Sequence, residues 1–302
     1  MIMVVDATPV RDGLADRDFA HQPEISDRSH GPGDARSTSS VSNVWQLATR
    51  MPVLSWLSSI VTVLAIWQIA AQLIVRRPSV FPGLTEIVGA GLALAGKGFG
   101  GQTLMSDVLA SVARIGIGFA LAVLLGVLIG FLMTVSRLFS RLIDPWLQFV
   151  RPIPPLAYIP LLIVWFGIGA TPKILTIVIG TIPVIILGTI GGAKAVPLDM
   201  VRAAQCLGAS RTQVLRHVIF KAALPEIFTS MRTGIGIAWT YLVAAELIAA
   251  RSGLGWLVQN AAQSLSVSTV LAAIVIIGAL GYVMDTLIRI VENLLVPWKG
   301  KL

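Results

Sequence analysis

Glu246 is the side chain of this sequence most able to do chemistry, because it is an acid near the end of an apolar run. An ionised group in hydrocarbon is costly, and it is expected to face a partner charge, a cavity or the membrane interface. The sequence leaves two roles open for Glu246. It can form a buried pair with Arg251 or Lys173, or it can line a polar path through the apolar region.

Two other pairs of charges lie within apolar runs. Arg114 and Asp107 are seven residues apart on a similar helical face, so they can pair, although Arg114 can equally extend its guanidinium to the interface. Asp285 and Arg289 have the i, i+4 spacing of an ordinary helix pair. Both are therefore interpreted as structural.

Motifs for nucleophilic, metal or nucleotide chemistry are absent from the sequence. There is no GxxxxGK[ST] phosphate loop, no GxSxG and no HExxH, and the three His and the single Cys206 are not spaced for a shared metal. We therefore expect no catalytic residue, no metal and no cofactor bound by this chain.

The composition is that of a membrane protein, with 55% hydrophobic and 13% charged residues and a mean hydropathy of +0.83. A membrane crossing needs about 20 apolar residues, and six runs of the sequence are long enough. One of the six, about 143–166, is interrupted by prolines. We predict an all-α membrane protein with six transmembrane helices in one domain, 50–302. The five uninterrupted runs are about 54–75, 110–135, 173–192, 227–250 and 268–290.

The placement of Lys and Arg predicts that both termini are cytoplasmic, since ten lie near span ends on the side of the termini and five on the other. Anionic lipid headgroups account for the net charge of +8, and we expect no nucleic-acid partner. The ten are Arg50, Arg137, Arg141, Lys194, Arg202, Arg211, Arg216, Lys221, Lys299 and Lys301; the five are Arg76, Arg77, Lys97, Lys173 and Arg251.

Residues 1–49 differ from the rest because they are rich in acids, Ser, Gly and Pro and have little apolar periodicity. Such a segment cannot bury enough surface to offset its ordering entropy. We predict a disordered cytoplasmic tail. Within the apolar domain, Gly126 and Gly130 form a GxxxG pattern that permits close helix packing.

A polar segment, 193–226, separates two of the apolar runs. Its apolar residues have helical spacing on both sides of Gly208, which predicts two short helices broken at 208–210, with Ser210 as the N-cap of the second. The charged residues of the segment exclude a membrane crossing, so we expect it to lie on the cytoplasmic face.

The same segment contains RAAQCLGAS at 202–210, which resembles the EAA-x3-G loop of ATP-binding-cassette importer permeases, with Arg202 in the place of the motif's Glu. Further similar stretches are RPIPPLAYIPLLIVWFGIG at 151–169, LVAAELIAARSGLGWLVQ at 242–259 and VPWKGK at 296–301. The chain is identified as a member of the sulfonate, nitrate and taurine branch, most similar to taurine-type permeases. By this resemblance the ATPase-coupling residues are Arg202, Ala203, Ala204, Leu207, Gly208, Ala209, Ser210 and Val214.

The resemblance implies a type I importer fold in the bacterial inner membrane. It also implies four kinds of partner: a second copy of the chain, two ATPase subunits that hold ATP and Mg²⁺, an external substrate-binding protein and the lipid bilayer. The expected substrate is taurine or a related sulfonate, with nitrate, bicarbonate or an aromatic acid as alternatives. A secondary anion transporter is the alternative class, and it should show an internal repeat and an ionisable site at the midplane.

Two segments are candidates for the translocation path and its gate. Arg151 precedes a proline cluster with Pro154 and Pro155, which breaks a helix and either lines a path or forms an elbow at the interface. The second segment has Gly253 and Gly255 before Trp256, where the glycines permit a re-entrant bend and the indole either plugs the outer end or anchors at the interface. Glu246 is included with this outer gate.

Overall fold

The computed structural model describes residues 52–75 and 80–299, which form helices with no strand beyond an isolated bridge between Phe99 and Gln102. The predicted disordered tail, 1–49, lies outside the described residues. The helices are α1 (Pro52–Ile69, continued by the π-helical turn Ala70–Val75), α2 (Leu84–Lys97), α3 (Leu104–Val135), α4 (Arg137–Val150), α5 (Ile159–Phe166, after the 3₁₀ turn Pro155–Tyr158), α6 (Ala170–Lys194), α7 (Leu198–Cys206), α8 (Arg211–Gln213), α9 (Phe220–Ala249, joined to α8 by the π-helical turn Val214–Ile219), α10 (Leu254–Gln263) and α11 (Val267–Leu295).

Helix α3 buries its small and polar residues and exposes its leucines. Gly126 and Gly130 contact α6 so closely that an added Cβ would lie 2.7 Å from Ile185 Cβ and from Thr189 Cβ, respectively. The predicted GxxxG contact is therefore confirmed. The outward leucines, such as Leu124 at 65% exposure, suit a lipid environment, where small residues rather than large apolar ones bring helices together.

Helices α6 and α9 form the centre of the compact unit that begins at Ile60, and α3, α10 and α11 pack around them. Helix α6 is about 37 Å long at 1.5 Å per residue. It ends at Lys194, just before α7, whereas α9 begins beyond α8 and ends at Ala249. The polar segment around Gly208 and the turn after Ala249 therefore lie at opposite ends of these two helices.

Five of the six predicted runs lie within helices, apart from residue 250 at the end of one run, but the helices extend beyond the runs by up to seven residues at an end. The exception is 143–166, which the structure divides into α4 and the pair Pro155–Phe166, bent by 89°. Within the described residues, three helices, α3, α6 and α11, are long and apolar enough to cross a membrane, and a fourth crossing results if the bent pair is one span. The count of six and the sidedness of the termini stay predictions.

Candidate functional site

Glu246 is 1% exposed and lies between α9, α3 and the start of α10. Its carboxylate accepts hydrogen bonds from Arg114 Nη1 at 2.5 Å and from Ser111 Oγ at 2.9 Å. The prediction that Glu246 pairs with Arg251 or Lys173 is wrong, because its ion pair is with Arg114. A carboxylate this deeply buried needs such partners, since an unpaired ion in the interior is very costly.

The turn at residues 252–255, which we name the glycine turn, is bound through three successive backbone N–H groups. Their acceptors, in chain order from residue 253, are Asp107 Oδ1 at 2.8 Å, Ser111 Oγ at 2.9 Å and Glu246 Oε2 at 2.9 Å. All three acceptors are buried side chains of α3 or α9. The glycine turn is therefore fixed to the bundle by hydrogen bonds that no solvent competes for.

Arg114 completes this arrangement from α3. Its Nη1 also donates to Ser252 O at 2.8 Å, and its Nη2 donates to Ser252 Oγ at 2.9 Å. The pairing of Arg114 with Asp107 that the sequence allowed is not formed, because Arg114 binds Glu246 and Asp107 binds the glycine turn. We name Asp107, Ser111, Arg114, Glu246 and the glycine turn together the clamp.

The two gate glycines each have a steric reason within the clamp. Gly253 has φ +117°, a conformation that L side chains rarely adopt, and it permits the bend predicted at this point. At Gly255 an added Cβ would lie 2.6 Å from both Glu246 Cβ and Val243 O. Trp256 is half-buried and packs against the core cluster of α9 and α10. Its role as a plug stays a prediction.

The proline break after α4 contributes residues to a cavity between two helices. Arg151 and Pro155 line a cavity of 190 Å³ between α6 and α9, where they face Pro183 and Tyr241. Pro155 is buried, while Pro154 and Arg151 are exposed. The bend of 89° is compatible with both roles foreseen for this segment, because α4 can lie at the interface while the break lines the cavity.

The segment 198–213, which we name the coupling segment, lies at the end of the central helices opposite the clamp. None of the residues of α7 is buried, and Leu207 at its end is 89% exposed. Gly208 has φ +83° and donates its N–H to Gln205 O, while the N–H of Ala209 donates to Ala204 O. These two bonds end α7 as a glycine-dependent cap.

The second short helix begins as the sequence predicted. Ser210 Oγ accepts from the N–H of Gln213, and the Gln213 side chain accepts from the N–H of Ser210 at 2.7 Å. Such a reciprocal cap satisfies two N–H groups that a helix start leaves free. Val214 follows and is 4% exposed, so it anchors the segment to the bundle.

The remaining coupling residues lie on the surface of α7. Arg202 is exposed and has Asp199 as its ion partner at 3.7 Å, with side-chain exposures of 72% and 94%. Ala203 is exposed and Ala204 is half-buried. The segment thus presents a surface held in shape by its own backbone bonds.

Sequence reasoning missed the pair of Arg232 with Asp285, which joins α9 to α11 through bonds of 2.9 and 3.2 Å. The expected contact of Asp285 with Arg289 is also formed, at 3.4 Å. Ser111 of the clamp was missed as well. Its signal was the position of Ser111 four residues from Asp107 on the small-residue stripe of α3.

Comparisons with known proteins agree with this geometry. Residues 122–296 match the family described as the binding-protein-dependent transport system inner membrane component. The chain is 39% identical to the taurine transport system permease protein TauC of Escherichia coli (strain K12), over 85% of this chain and 94% of that protein. It is 34% identical to the nitrate import permease protein NrtB of Synechocystis, over 68% of this chain and 73% of that protein.

Among solved structures, a chain of the MetNI methionine ABC transporter in an inward-facing conformation superposes with a TM-score of 0.57. The identity is 20%, and the match covers 64% of this chain and 95% of that chain, so the likeness concerns the fold alone. The chain belongs to the binding-protein-dependent transport inner membrane component family and is a multi-pass membrane protein. The predicted type I ABC permease fold is thereby confirmed.

Proposed function

We propose that this chain is the membrane permease of an ATP-driven importer, in which two copies form the path and two separate ATPase subunits supply the energy. The proposal rests on the structure of the coupling segment, which has an exposed surface and a buried anchor. The segment is exposed, capped at Gly208 and Ser210, and anchored at Val214 next to a central helix. Movement of an ATPase against α7 and α8 would be passed directly to α9.

The opposite end of α9 is fixed to α3 and α10 by the clamp. A rigid connection at that end would let a displacement at the coupling segment tilt α9 as a unit instead of bending its last turn. The cavity at the proline break lies between α6 and α9 and would change in size with such a tilt. In this proposal the clamp lies at the outer face of a bacterial inner membrane and the coupling segment lies in the cytoplasm.

The proposed substrate is a small organic anion, taurine or a related sulfonate, received from an external binding protein. Support comes from the identity to a taurine permease over nearly its whole length. Nitrate is the second candidate, because a nitrate permease is also similar, at 34% identity. Bicarbonate and aromatic acids remain further alternatives. The chain itself is proposed to hold no cofactor, with ATP and Mg²⁺ bound by the ATPase subunits.

Uptake into proteoliposomes tests the proposal. The permease would be reconstituted with its own ATPase and binding protein, and labelled taurine and nitrate would be offered with ATP inside or with an ion gradient alone. We expect uptake that requires ATP and the binding protein. Uptake driven by the gradient without ATP would instead establish a secondary anion transporter and overturn the proposal.

A further inference from the structure

A second cavity, of 270 Å³, lies beside the clamp at the start of α6. Three of its lining residues are basic, and none is acidic. The cavity is at the end of the central helices opposite the coupling segment, because α6 begins at Ala170 and α9 ends at Ala249. The residues that line it are Arg114, Ile168, Gly169, Ala170, Lys173, Arg251 and Ser252.

Lys173 is the most unusual of the three cations, because it is 5% exposed and lacks an acidic partner. Its Nζ donates to Gly169 O at 2.9 Å, and none of the ion pairs within 52–75 and 80–299 includes it. An ammonium group has three donors, so two are left for another acceptor. A buried ammonium group is stabilised by pairing and hydrogen bonding, so an anion in this cavity would favour the charged form of Lys173.

The nearby carboxylates are engaged in the clamp, although Asp107 Oδ2 is buried without a hydrogen-bond partner among the described residues. Glu246 accepts from Arg114, Ser111 and the glycine turn, and Asp107 accepts from the glycine turn. Arg251 is exposed and, in the described part of the chain, has no ion pair. Three cations against two carboxylates leave the region with an excess of one positive charge.

The start of α6 adds to this excess. Gly169 is the N-cap residue and offers no side-chain cap, so the first N–H groups of the helix have no acceptor from that side chain. N–H groups at a helix start favour an anion, and in the first three positions of α6 only Ala170 and Thr171 can supply them, because Pro172 has no N–H. Ala170 lines the same cavity as the buried amino group of Lys173. The volume equals that of roughly nine water molecules, which is room for a small organic oxyanion.

We propose that this cavity binds the oxyanion group of the transported solute, a sulfonate or another small oxyanion, with Lys173 and Arg251 as its direct ligands. Arg114 contributes from the clamp, to which it stays bonded. The assignment of the anion as the transported solute rests on the proposed function. Charged hydrogen bonds to a sulfonate are stronger than neutral ones, so loss of one cation should weaken binding strongly.

Equilibrium binding of labelled taurine to the full chain in lipid nanodiscs tests the site, with nitrate as competitor. We expect Lys173→Gln and Arg251→Gln each to weaken binding about tenfold or more, and Lys173→Arg to retain most of it. Lys97→Gln is the matched control, because Lys97 is an exposed cation on the side of the membrane predicted for the cavity. Since Arg251 is exposed, its variant tests the site even if Lys173→Gln fails to fold.

Wild-type chain that binds neither anion, or an Arg251→Gln chain that binds like wild type, would overturn the site. Nanodiscs of phosphatidylglycerol and of phosphatidylcholine distinguish a free anion from a lipid headgroup. Similar taurine affinity in both supports the free anion, whereas loss in phosphatidylglycerol assigns the cavity to the headgroup and overturns the proposal. If Arg251→Gln leaves ATP-driven uptake unaffected, the anion site is rejected while the proposed importer function stands. If the chain binds the anion but shows no ATP-driven uptake, the anion site stands while the importer function is rejected.

Discussion

The coupling segment and the glycine turn are both glycine-containing connections at the ends of the central helices, yet they are stabilised in opposite ways. The coupling segment is exposed and is held by backbone caps within itself. The glycine turn is buried, and side chains from two other helices bind its N–H groups. In the proposed importer, the first would present a surface to the ATPase, and the second would hold α9 to its neighbours.

The contrast is between a glycine bend bonded only within its own segment and one bonded to neighbouring helices. Exposed caps stabilise by about 1 kcal/mol each and leave the surrounding surface free. A buried ion pair with its hydrogen bonds is hard to break, because the remaining partner is then left uncompensated. Substitutions at the two ends should therefore have different consequences.

Loss of the Glu246 carboxylate should have the largest effect. In Glu246→Ala, Arg114 loses its ion partner and the N–H of Gly255 loses its acceptor, so we expect a loss of about 3–5 kcal/mol in the free energy of unfolding. Denaturant unfolding in detergent micelles measures it. Glu226→Ala, an exposed acid on the same helix, is the control and should be close to wild type. Equal stability of both variants would mean that the clamp is not structural.

Gly255→Ala should come next, because its Cβ would lie 2.6 Å from Glu246 Cβ. Overpacking at such a site costs about 1–3 kcal/mol. The control is Gly236→Ala on α9, where an added Cβ meets nothing within 4 Å. Thermal unfolding should separate the two variants. A stable Gly255→Ala would show that α9 and α10 can move apart freely.

Gly208→Val changes the exposed end. A β-branched residue at φ +83° is strained, which costs about 1–2 kcal/mol locally. We expect little change in global unfolding but loss of coupling between ATP hydrolysis and uptake in the assembled transporter. Gly191→Val is the control, since an added Cβ there meets nothing within 4 Å. Normal coupling in Gly208→Val would contradict the role of the turn.

The local features of the coupling segment could be predicted from the sequence, because they depend on neighbouring residues. The helix break at Gly208 and the cap at Ser210 are of this kind, whereas the GxxxG pattern predicted a close helix contact without its partner, α6. The partner of Glu246 could not be predicted, because Arg114 is 132 residues away and periodicity carries no information about pairing across helices. The bend of 89° was equally out of reach, since prolines predict a break but not its angle.

Arg202→Ala should have the smallest effect. The Arg202 side chain is exposed, and exposed ion pairs contribute at most about 1 kcal/mol. We expect the affinity between permease and ATPase to fall only slightly, as measured by titration of the ATPase onto permease in nanodiscs. An effect of several kcal/mol would show that Arg202 forms a buried pair in the complex.

The most direct measurement uses Cys206, the only cysteine of the chain, which lies exposed at the end of α7. Its alkylation rate by a maleimide would be measured in the free permease and in the complex with the ATPase. A Cys206→Ser, Lys97→Cys variant serves as the control at another exposed position. We predict that the ATPase protects Cys206 strongly and leaves position 97 reactive. Equal alkylation of Cys206 with and without the ATPase would contradict docking at the coupling segment.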